Sequence, residues 1–125
     1  MTKPLALIIE DDGDLAYIYA RAVRAAGFEV EMILGGRAAS QRLAAVKPDL
    51  VILDLYLPTI TGVEILDQIR TDERLKDTPV IIATADNVLA DNLCREVNGI
   101  LIKPISHAEL RKEAARFLNP DASHS

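Results

Sequence analysis

The sequence predicts a doubly wound α/β fold, with a five-stranded parallel sheet in the strand order 2-1-3-4-5 and five helices distributed over both faces. Three observations support this prediction. Short apolar runs alternate strictly with segments of helical periodicity, as in successive parallel strand–helix units. Hydrophobic residues make up 50% of the chain and aromatic residues only 4%, so the core must be aliphatic. Chemically useful polar residues follow four of the five strands, at the edge where such sheets bind ligands.

The first half of the chain contains two strand–helix units. Residues 5–9 are a continuous apolar run and predict a buried strand. A helical stripe of apolar residues follows between residues 15 and 26, and Gly27 is the expected C-terminal cap. Residues 28–34 predict the second strand, and an alanine-rich helix is expected from about residue 37 to residue 46.

The second half contains three more units. Residues 50–53 form an unbroken apolar run, typical of a central parallel strand that is buried on both faces. A capping box of Ser106 and Glu109 predicts the start of the last helix. The other predicted elements are a helix at residues 62–70, a strand at residues 80–83, a shorter helix at residues 87–98 and a strand at residues 100–102.

Length, charge and cysteine content restrict the class of protein. We expect one domain over residues 1–119 and a polar tail at residues 120–125. The net charge of −5 argues against direct binding to nucleic acid or to an anionic membrane, and no apolar run is long enough to span a bilayer. The single cysteine, Cys94, excludes an internal disulfide and is expected in the core beside Leu93. These features predict a soluble, cytoplasmic protein.

Polar residues follow the strands that flank the centre of the predicted sheet. Glu10 and Asp11 follow the first strand, Asp54 follows the third, Thr84 ends the fourth and Lys103 follows the fifth. The second strand has no such residue, and the predicted order places it at an edge of the sheet. The crevice of such a sheet opens between the first and third strands. We therefore expect the polar residues to form one site.

The predicted site combines the groups that phosphoryl transfer to a carboxylate requires. Glu10, Asp11 and Asp54 would repel one another strongly unless they protonate or bind a cation. Oxygen ligands with room for water suit Mg²⁺, which keeps a coordination position open for phosphate. Asp54 can then attack phosphorus as a nucleophile and form an aspartyl phosphate. Lys103 would neutralise the phosphoryl oxygens and Thr84 would donate a hydrogen bond to them.

Several of these residue types have a simpler structural explanation when they are considered alone. Asp12 and Asp14, which extend the acidic cluster, are expected to cap the first helix. A Lys–Pro pair after a strand is commonly a solvated turn, and a threonine that ends a strand is a weaker signal still. The prediction of a site therefore depends on the whole set lying on the right strands.

The motifs resemble those of the receiver domain of bacterial two-component response regulators, which has the chemotaxis-type, flavodoxin-like fold. The resemblance covers the chain from residue 5 to about residue 118. It depends on four motifs, which are Ile8-Ile9-Glu10-Asp11-Asp12, Leu53-Asp54 with Pro58 and Gly62, Ile82-Ala83-Thr84-Ala85, and Lys103-Pro104.

The resemblance implies a signalling switch rather than an enzyme. Asp54 is expected to accept a phosphoryl group from the phosphohistidine of a sensor histidine kinase or phosphotransfer protein, and then to lose it by slow autodephosphorylation. The implied Mg²⁺ ligands are Glu10, Asp11, Asp54 and the backbone carbonyl of Tyr56. The implied phosphoryl-binding and switch residues are Thr84, Ala85 and Lys103, and the residues implied to tune dephosphorylation are Tyr56 and Asp86.

Two features depart from the family pattern. Ile100 occupies the position, three residues before Lys103, where the family usually has an aromatic residue that moves inward with the threonine. The segment from Thr84 to Lys103 is also a few residues shorter than usual. Both changes fall on the face through which receiver domains signal. The downstream protein partner is not predicted, and a homodimer through the face formed by the fourth and fifth helices stays open.

Three other functions are alternatives. A flavodoxin-type electron carrier would need a phosphate-cradling loop after the first strand, where Glu10-Asp11-Asp12 would repel the flavin phosphate. A hydrolase with an aspartyl-phosphate intermediate usually has a second aspartate two residues after the nucleophile, and here that residue is Tyr56. A receiver-fold adaptor that acts by protein–protein interaction without phosphorylation is the alternative that the altered signalling face favours.

Overall fold

The structure is a computed structural model that describes residues 2–118, so residue 119 and the predicted tail at residues 120–125 lie outside the described residues. Strands and helices alternate along the chain, as the sequence predicts. The strands are β1 (Leu5–Ile9), β2 (Glu29–Ile33), β3 (Leu50–Leu53), β4 (Val80–Thr84) and β5 (Gly99–Ile102), and the helices are α1 (Gly13–Ala26), α2 (Gly36–Ala45), α3 (Gly62–Thr71), α4 (Asn87–Leu93) and α5 (His107–Ala115).

The five strands form one parallel sheet in the order β2-β1-β3-β4-β5, which confirms the predicted topology. The register places the last residues of neighbouring strands side by side. Ile9 lies opposite Leu53, and Thr84 lies opposite Ile102. The residues that follow these strands therefore meet at the carboxyl edge of the sheet, where parallel α/β sheets bind ligands.

The sheet separates two hydrophobic clusters, because successive side chains of a strand point to opposite faces. One cluster packs the odd-numbered residues of β1 and β3 against α2 and α3, and the other packs the even-numbered residues against α1 and α5. Every residue of β3 is buried, as expected for the central strand. Representative members are Leu7, Leu53, Leu66 and Ile69 in the first cluster, and Ile8, Ile52, Ala20 and Leu110 in the second.

Helices α1 and α5, which start near the site, both have side-chain N-caps. The Asp12 carboxylate accepts hydrogen bonds from the backbone N–H groups of Asp14 and Leu15 at the start of α1. The capping box of Ser106 and Glu109 is present at the start of α5, which confirms that prediction. These caps fix where each helix leaves the carboxyl edge of the sheet.

Helix α4 is shorter than predicted, since it ends at Leu93 instead of residue 98. The reason is a tertiary contact that the periodicity of the sequence cannot show. The Arg70 guanidinium donates hydrogen bonds to the Glu96 carbonyl (2.7 Å) and to the Asn98 side chain (3.0 Å). The same Asn98 oxygen accepts the Val80 N–H at 2.9 Å. Glu96 and Asn98 therefore bind Arg70 and the start of β4 instead of continuing the helix.

Two further expectations about this part of the chain need correction. Cys94 is exposed instead of lying in the core, because α4 ends just before it. The second strand is shorter at both ends than residues 28–34, and the side chain of Leu34 is 57% exposed beyond its end. Within the described part of the chain, none of the helices has the length and apolar character needed to cross a membrane.

Candidate functional site

The carboxyl edge of the sheet brings three carboxylates together. Glu10 and Asp11 follow β1 and Asp54 follows β3, and one carboxylate oxygen from each lies within 4.8 Å of the others. The backbone places Asp54 directly, because its N–H donates to the Ile9 carbonyl at 3.0 Å and extends the ladder between the two strands. Glu10 and Asp54 are buried, with 2% and 7% exposure, whereas Asp11 is exposed.

Lys103 is the cation that faces this acidic cluster. Its Nζ lies 2.9 Å from Glu10 Oε1 and 3.4 Å from Asp54 Oδ2. The Lys103 N–H donates to the Thr84 carbonyl at 2.8 Å, so the end of β5 is tied to the end of β4 and the lysine is held over the crevice. The predicted grouping of these four charged residues at one edge is therefore what the structure contains.

Burial dominates the electrostatics of Glu10. The pKa of Glu10 is raised to about 8, first by loss of solvation and then by the neighbouring Asp54 carboxylate, and the Lys103 ammonium offsets only part of this. Burial also works against the charge on Lys103, but its hydrogen bond to Glu10 and the nearby Asp54 leave the pKa of Lys103 above its usual value. The single positive charge of Lys103 therefore does not balance the negative charge of the carboxylates around it.

The donor set fits a divalent cation that prefers oxygen ligands. The second oxygen of Glu10, Oε2, is buried and has no hydrogen-bond partner among the described residues. A buried carboxylate oxygen without a partner is costly, and a cation bound between Glu10, Asp11 and Asp54 would satisfy it. Carboxylate oxygens together with an exposed approach for water are the environment that Mg²⁺ prefers.

The loop after β3 carries Tyr56, whose carbonyl is the fourth predicted ligand. The Tyr56 N–H donates to Asp54 Oδ1 at 3.1 Å, so this loop turns back over the carboxylate that it follows. Gly62 lies directly behind the same loop, and its N–H donates to the Leu55 carbonyl at 3.0 Å. A side chain at residue 62 would collide with the backbone of Asp54, which explains the glycine in this motif.

The predicted switch residues lie in the turn after β4. Thr84 is fully buried at the end of the strand, and its hydroxyl oxygen accepts the Asp86 N–H at 3.1 Å instead of contacting the carboxylates. The hydroxyl proton therefore stays available for another acceptor. Ala85 is exposed and small, so it leaves the approach to the crevice open.

A hydrogen bond that the sequence analysis did not predict joins the two loops. The Tyr56 hydroxyl donates to Asp86 Oδ2, so the two residues that the resemblance implies to tune dephosphorylation are in direct contact. This hydrogen bond raises the pKa of Tyr56. The backbone N–H of Leu89, followed by the Tyr56 hydroxyl, lowers the pKa of Asp86. The sequence held one signal for this contact. Tyr56 stands two residues after Asp54 and Asp86 stands two residues after Thr84, and the strands that precede them are neighbours in the predicted sheet.

Ile100 is not part of this network. It lies on β5 opposite Ile82, is half-buried, and has an aliphatic side chain that cannot form a hydrogen bond. The residue opposite Thr84 is Ile102. At the position where the family usually has an aromatic switch residue, this side chain can therefore contribute only apolar packing.

The metal-free protein is expected to lose stability as the pH rises from about 4.5 to about 8. The Glu10 carboxyl ionises near 4.5 when the chain is unfolded but near 8 in the fold, so between these values the folded state holds a proton that the unfolded state lacks. Stability linked to this proton is complete below the lower value and is lost as pH approaches the upper one. Thermal unfolding with a chelator present, across this pH range, is the measurement.

Glu10→Gln is expected to remove this part of the pH dependence, because the amide does not titrate. Glu96→Gln changes an exposed glutamate and serves as the matched control, which should keep the slope of the parent protein. Equal slopes for Glu10→Gln and Glu96→Gln would contradict the assignment of the proton to Glu10.

Comparison with known proteins gives one consistent family. The family model for the response regulator receiver domain matches residues 6–115. The chain is 34% identical over 119 residues to the "Probable methanogenesis regulatory protein FilR2" of Methanothrix harundinacea, with 86% of this chain and 77% of that protein covered. It is 33% identical to the phosphate regulon transcriptional regulatory protein PhoB of Rhizobium meliloti, over 92% of this chain but 52% of that protein.

Solved structures agree with this result. The chemotaxis response regulator CheY4 of Vibrio cholerae has a TM-score of 0.84 at 26% identity, with 94% of this chain and 100% of that chain covered. The receiver domain of the sensor histidine kinase PA1611 from Pseudomonas aeruginosa has a TM-score of 0.83 at 25% identity, with 94% of this chain and 99% of that chain covered. Its structure contains a magnesium ion coordinated in the active-site cleft.

Proposed function

The chain belongs to the response regulator receiver domain family, and from this premise we propose that it is a phosphorylation-dependent switch in which Asp54 accepts the phosphoryl group. The observation that carries the proposal is the buried Asp54 carboxylate, which lies 3.4 Å from Lys103 Nζ and within 4.8 Å of Glu10 and Asp11 oxygens. The proposed nucleophile, a cation and three candidate metal ligands thus lie close together, which supports the proposal.

The proposed reaction is a simple displacement at phosphorus. An Asp54 carboxylate oxygen forms the new bond to phosphorus while the bond from phosphorus to the imidazole nitrogen of the donor's phosphohistidine breaks. The electron pair of the broken bond stays on that nitrogen. Lys103 lies close enough to stabilise the charge on the phosphoryl oxygens, and the Thr84 hydroxyl keeps a proton that can be donated to one of them.

Glu10, Asp11, Asp54 and the Tyr56 carbonyl are the residues that we propose as the Mg²⁺ site. The bound ion would neutralise the carboxylates and the equatorial phosphoryl oxygens together. The unsatisfied Glu10 Oε2 and the shortage of positive charge around it support this assignment. Exposure of Asp11 and Ala85 leaves an approach to the crevice for the donor.

Slow loss of the phosphoryl group to water would reset the switch, and Tyr56 and Asp86 are the residues proposed to tune its rate. The chain has no second aspartate at position 56, where aspartyl-phosphate hydrolases usually have their general acid. We therefore propose self-hydrolysis and not turnover of a substrate, so the domain is a switch and not an enzyme.

The proposed partners are a sensor histidine kinase or phosphotransfer protein on the input side and an unassigned protein on the output side. The chain spans about half the length of several curated relatives, including PhoB with 52% and PrrA of Mycobacterium leprae with 48%. Its acidic net charge gives this domain no basis for direct contact with nucleic acid. A homodimer through the face of α4 and α5 would be a further interaction of the switch.

A phosphate-independent adaptor is the second candidate. Ile100 and the short α4 alter the face through which receiver domains signal, and this observation is what favours the adaptor. Both candidates share the fold, so the chemistry of Asp54 must decide between them.

Incubation with a small acyl-phosphate donor is expected to add one phosphoryl group to the protein when Mg²⁺ is present. With a chelator the adduct should be lost, because the carboxylates then repel the incoming phosphate. Intact-mass measurement at both conditions gives the answer directly. Absence of an adduct in folded protein that binds Mg²⁺ would overturn the proposal in favour of the adaptor.

A further inference from the structure

A continuous set of hydrogen bonds leads from the phosphoacceptor to the first turn of α4. Asp54 Oδ1 accepts the Tyr56 N–H at 3.1 Å, and the hydroxyl of the same tyrosine donates to Asp86 Oδ2. Asp86 Oδ1 accepts the Leu89 N–H at 2.9 Å and so caps α4. The Asp86 N–H in turn donates to the Thr84 hydroxyl oxygen at 3.1 Å.

We infer that Tyr56 and Asp86 are positioning residues that transmit the phosphorylation state of Asp54 to α4, in place of an aromatic residue at position 100. The inference rests on the proposed phosphorylation of Asp54 and adds the route by which it is read. We call the hydrogen bond between the Tyr56 hydroxyl and the Asp86 carboxylate the loop latch.

Asp86 can serve this purpose because it uses both oxygens of its carboxylate at once. One oxygen caps α4 and the other accepts the Tyr56 hydroxyl, while its backbone N–H orients Thr84. A movement of either loop therefore changes the position of the α4 cap. Phosphorylation acts on both loops, since it alters the carboxylate that Tyr56 binds and supplies an acceptor for the Thr84 hydroxyl.

Helix α4 is suited to respond, because it contains only seven residues. Helices of this length have little intrinsic stability, so one N-terminal cap contributes a large part of the free energy that keeps the helix folded. Its exposed residue Val88, with 71% exposure, shows that packing covers only part of the helix. A shift of the Asp86 cap is therefore expected to change the order of the first turn.

The alternative route through β5 lacks the required chemistry. Ile100 has no polar atom in its side chain, and it lies opposite Ile82 and not opposite Thr84. The exposed phenol of Tyr56, with 59% exposure, is the aromatic group that contacts the turn after Thr84. A signal that runs through the latch should be sensitive to Tyr56→Phe, whereas a signal that runs through β5 should be sensitive to Ile100→Val.

The test compares backbone amide spectra with and without beryllofluoride and Mg²⁺, a stable mimic of the phosphoryl group on aspartate. In the parent protein we expect shifts at the turn that contains Thr84 and throughout residues 87–93. Tyr56→Phe removes the latch hydroxyl but leaves the contact between Thr84 and the Asp86 N–H, so the shifts at residues 87–93 should become much smaller while those near Thr84 persist. Ile100→Val should keep both.

Asp86→Ser separates the latch from the cap, because serine is a good N-cap but its shorter side chain has no second polar atom that reaches the Tyr56 hydroxyl. It should therefore reproduce Tyr56→Phe, and the double variant should lose no more than either single one. Tyr17→Phe and Asp67→Ser are the matched controls, since both change exposed residues of the same kind outside the latch and outside α4. Without the mimic, amide exchange at Leu89 should become about two- to tenfold faster in Tyr56→Phe, the range for one exposed hydrogen bond.

The outcomes separate this inference from the proposed function. Shifts at residues 87–93 that persist in Tyr56→Phe as in Tyr17→Phe would overturn the latch and leave the phosphorylation of Asp54 untouched. Loss of those shifts in Ile100→Val would also overturn it, because the signal would then run through β5. A parent protein with no response near Asp54 or Thr84 would overturn the proposed function, and the latch with it.

Discussion

Asp54→Asn is expected to abolish the phosphoryl adduct while leaving the domain folded. The amide has no anionic oxygen to attack phosphorus, so the loss should be complete and not partial. The fold should persist because the substitution preserves the size of a 7% exposed side chain and removes a negative charge from a cluster of carboxyl groups. Intact mass after treatment with the acyl-phosphate donor, together with thermal unfolding, measures both effects.

Asp14→Asn is the matched control for this substitution. Asp14 is an exposed aspartate in the first turn of α1, close to the acidic cluster in sequence but absent from the group of candidate ligands. It should take up the phosphoryl group as the parent protein does. An undiminished adduct in Asp54→Asn would place the reaction at another residue.

Gly62→Ala is expected to produce a large loss of stability. An added Cβ would lie 2.2 Å from the Asp54 carbonyl oxygen and 2.5 Å from Leu55 Cα, and neither backbone atom can move without displacing the end of β3. We expect a cost at or above the upper end of the usual ~1–3 kcal/mol for overpacking. Urea unfolding measures it, and the Mg²⁺ affinity of any folded fraction should also fall because the loop that follows Asp54 must shift.

Gly13→Ala gives the corresponding control. It stands at the start of α1, where an added Cβ would meet only Leu34 Cδ1 at 3.9 Å, an ordinary contact. Because alanine favours helix formation over glycine, this variant should be neutral or slightly more stable than the parent. Equal stability of the two variants would show that the backbone behind Asp54 can yield to a side chain at residue 62.

The sequence was sufficient for the strand order and for the grouping of the charged residues. Both follow from local patterns, because the unbroken apolar run at residues 50–53 indicates a central strand and the parallel alternation fixes which strand ends share an edge. Glu10, Asp54 and Lys103 follow strands of that sheet, so their proximity could be inferred before any distance was known.

What the sequence could not provide depends on contacts between distant segments. The end of α4 is set by Arg70, which binds the loop around Glu96 and Asn98, and no pattern within residues 87–98 indicates this. The latch between Tyr56 and Asp86 likewise depends on the directions of two side chains in separate loops.

The strongly raised pKa of Glu10 required knowledge of its burial, since the sequence shows only that carboxylates are near. Charge count alone would predict repulsion within the cluster but not which carboxyl keeps the proton. The 2% exposure of Glu10 identifies it, because removal of its carboxyl from water is the largest cause of the raised pKa.

The most direct test of the central claim is to locate the phosphoryl group within the chain. Borohydride reduction of the phosphorylated protein converts an acyl phosphate into an alcohol that survives digestion, and peptide mapping then identifies the modified residue. We expect modification at Asp54 alone, and only in protein treated with both the donor and Mg²⁺. Modification at Asp11 or Asp12 instead, with Asp54 intact, would contradict the assignment of Asp54 as the phosphoacceptor.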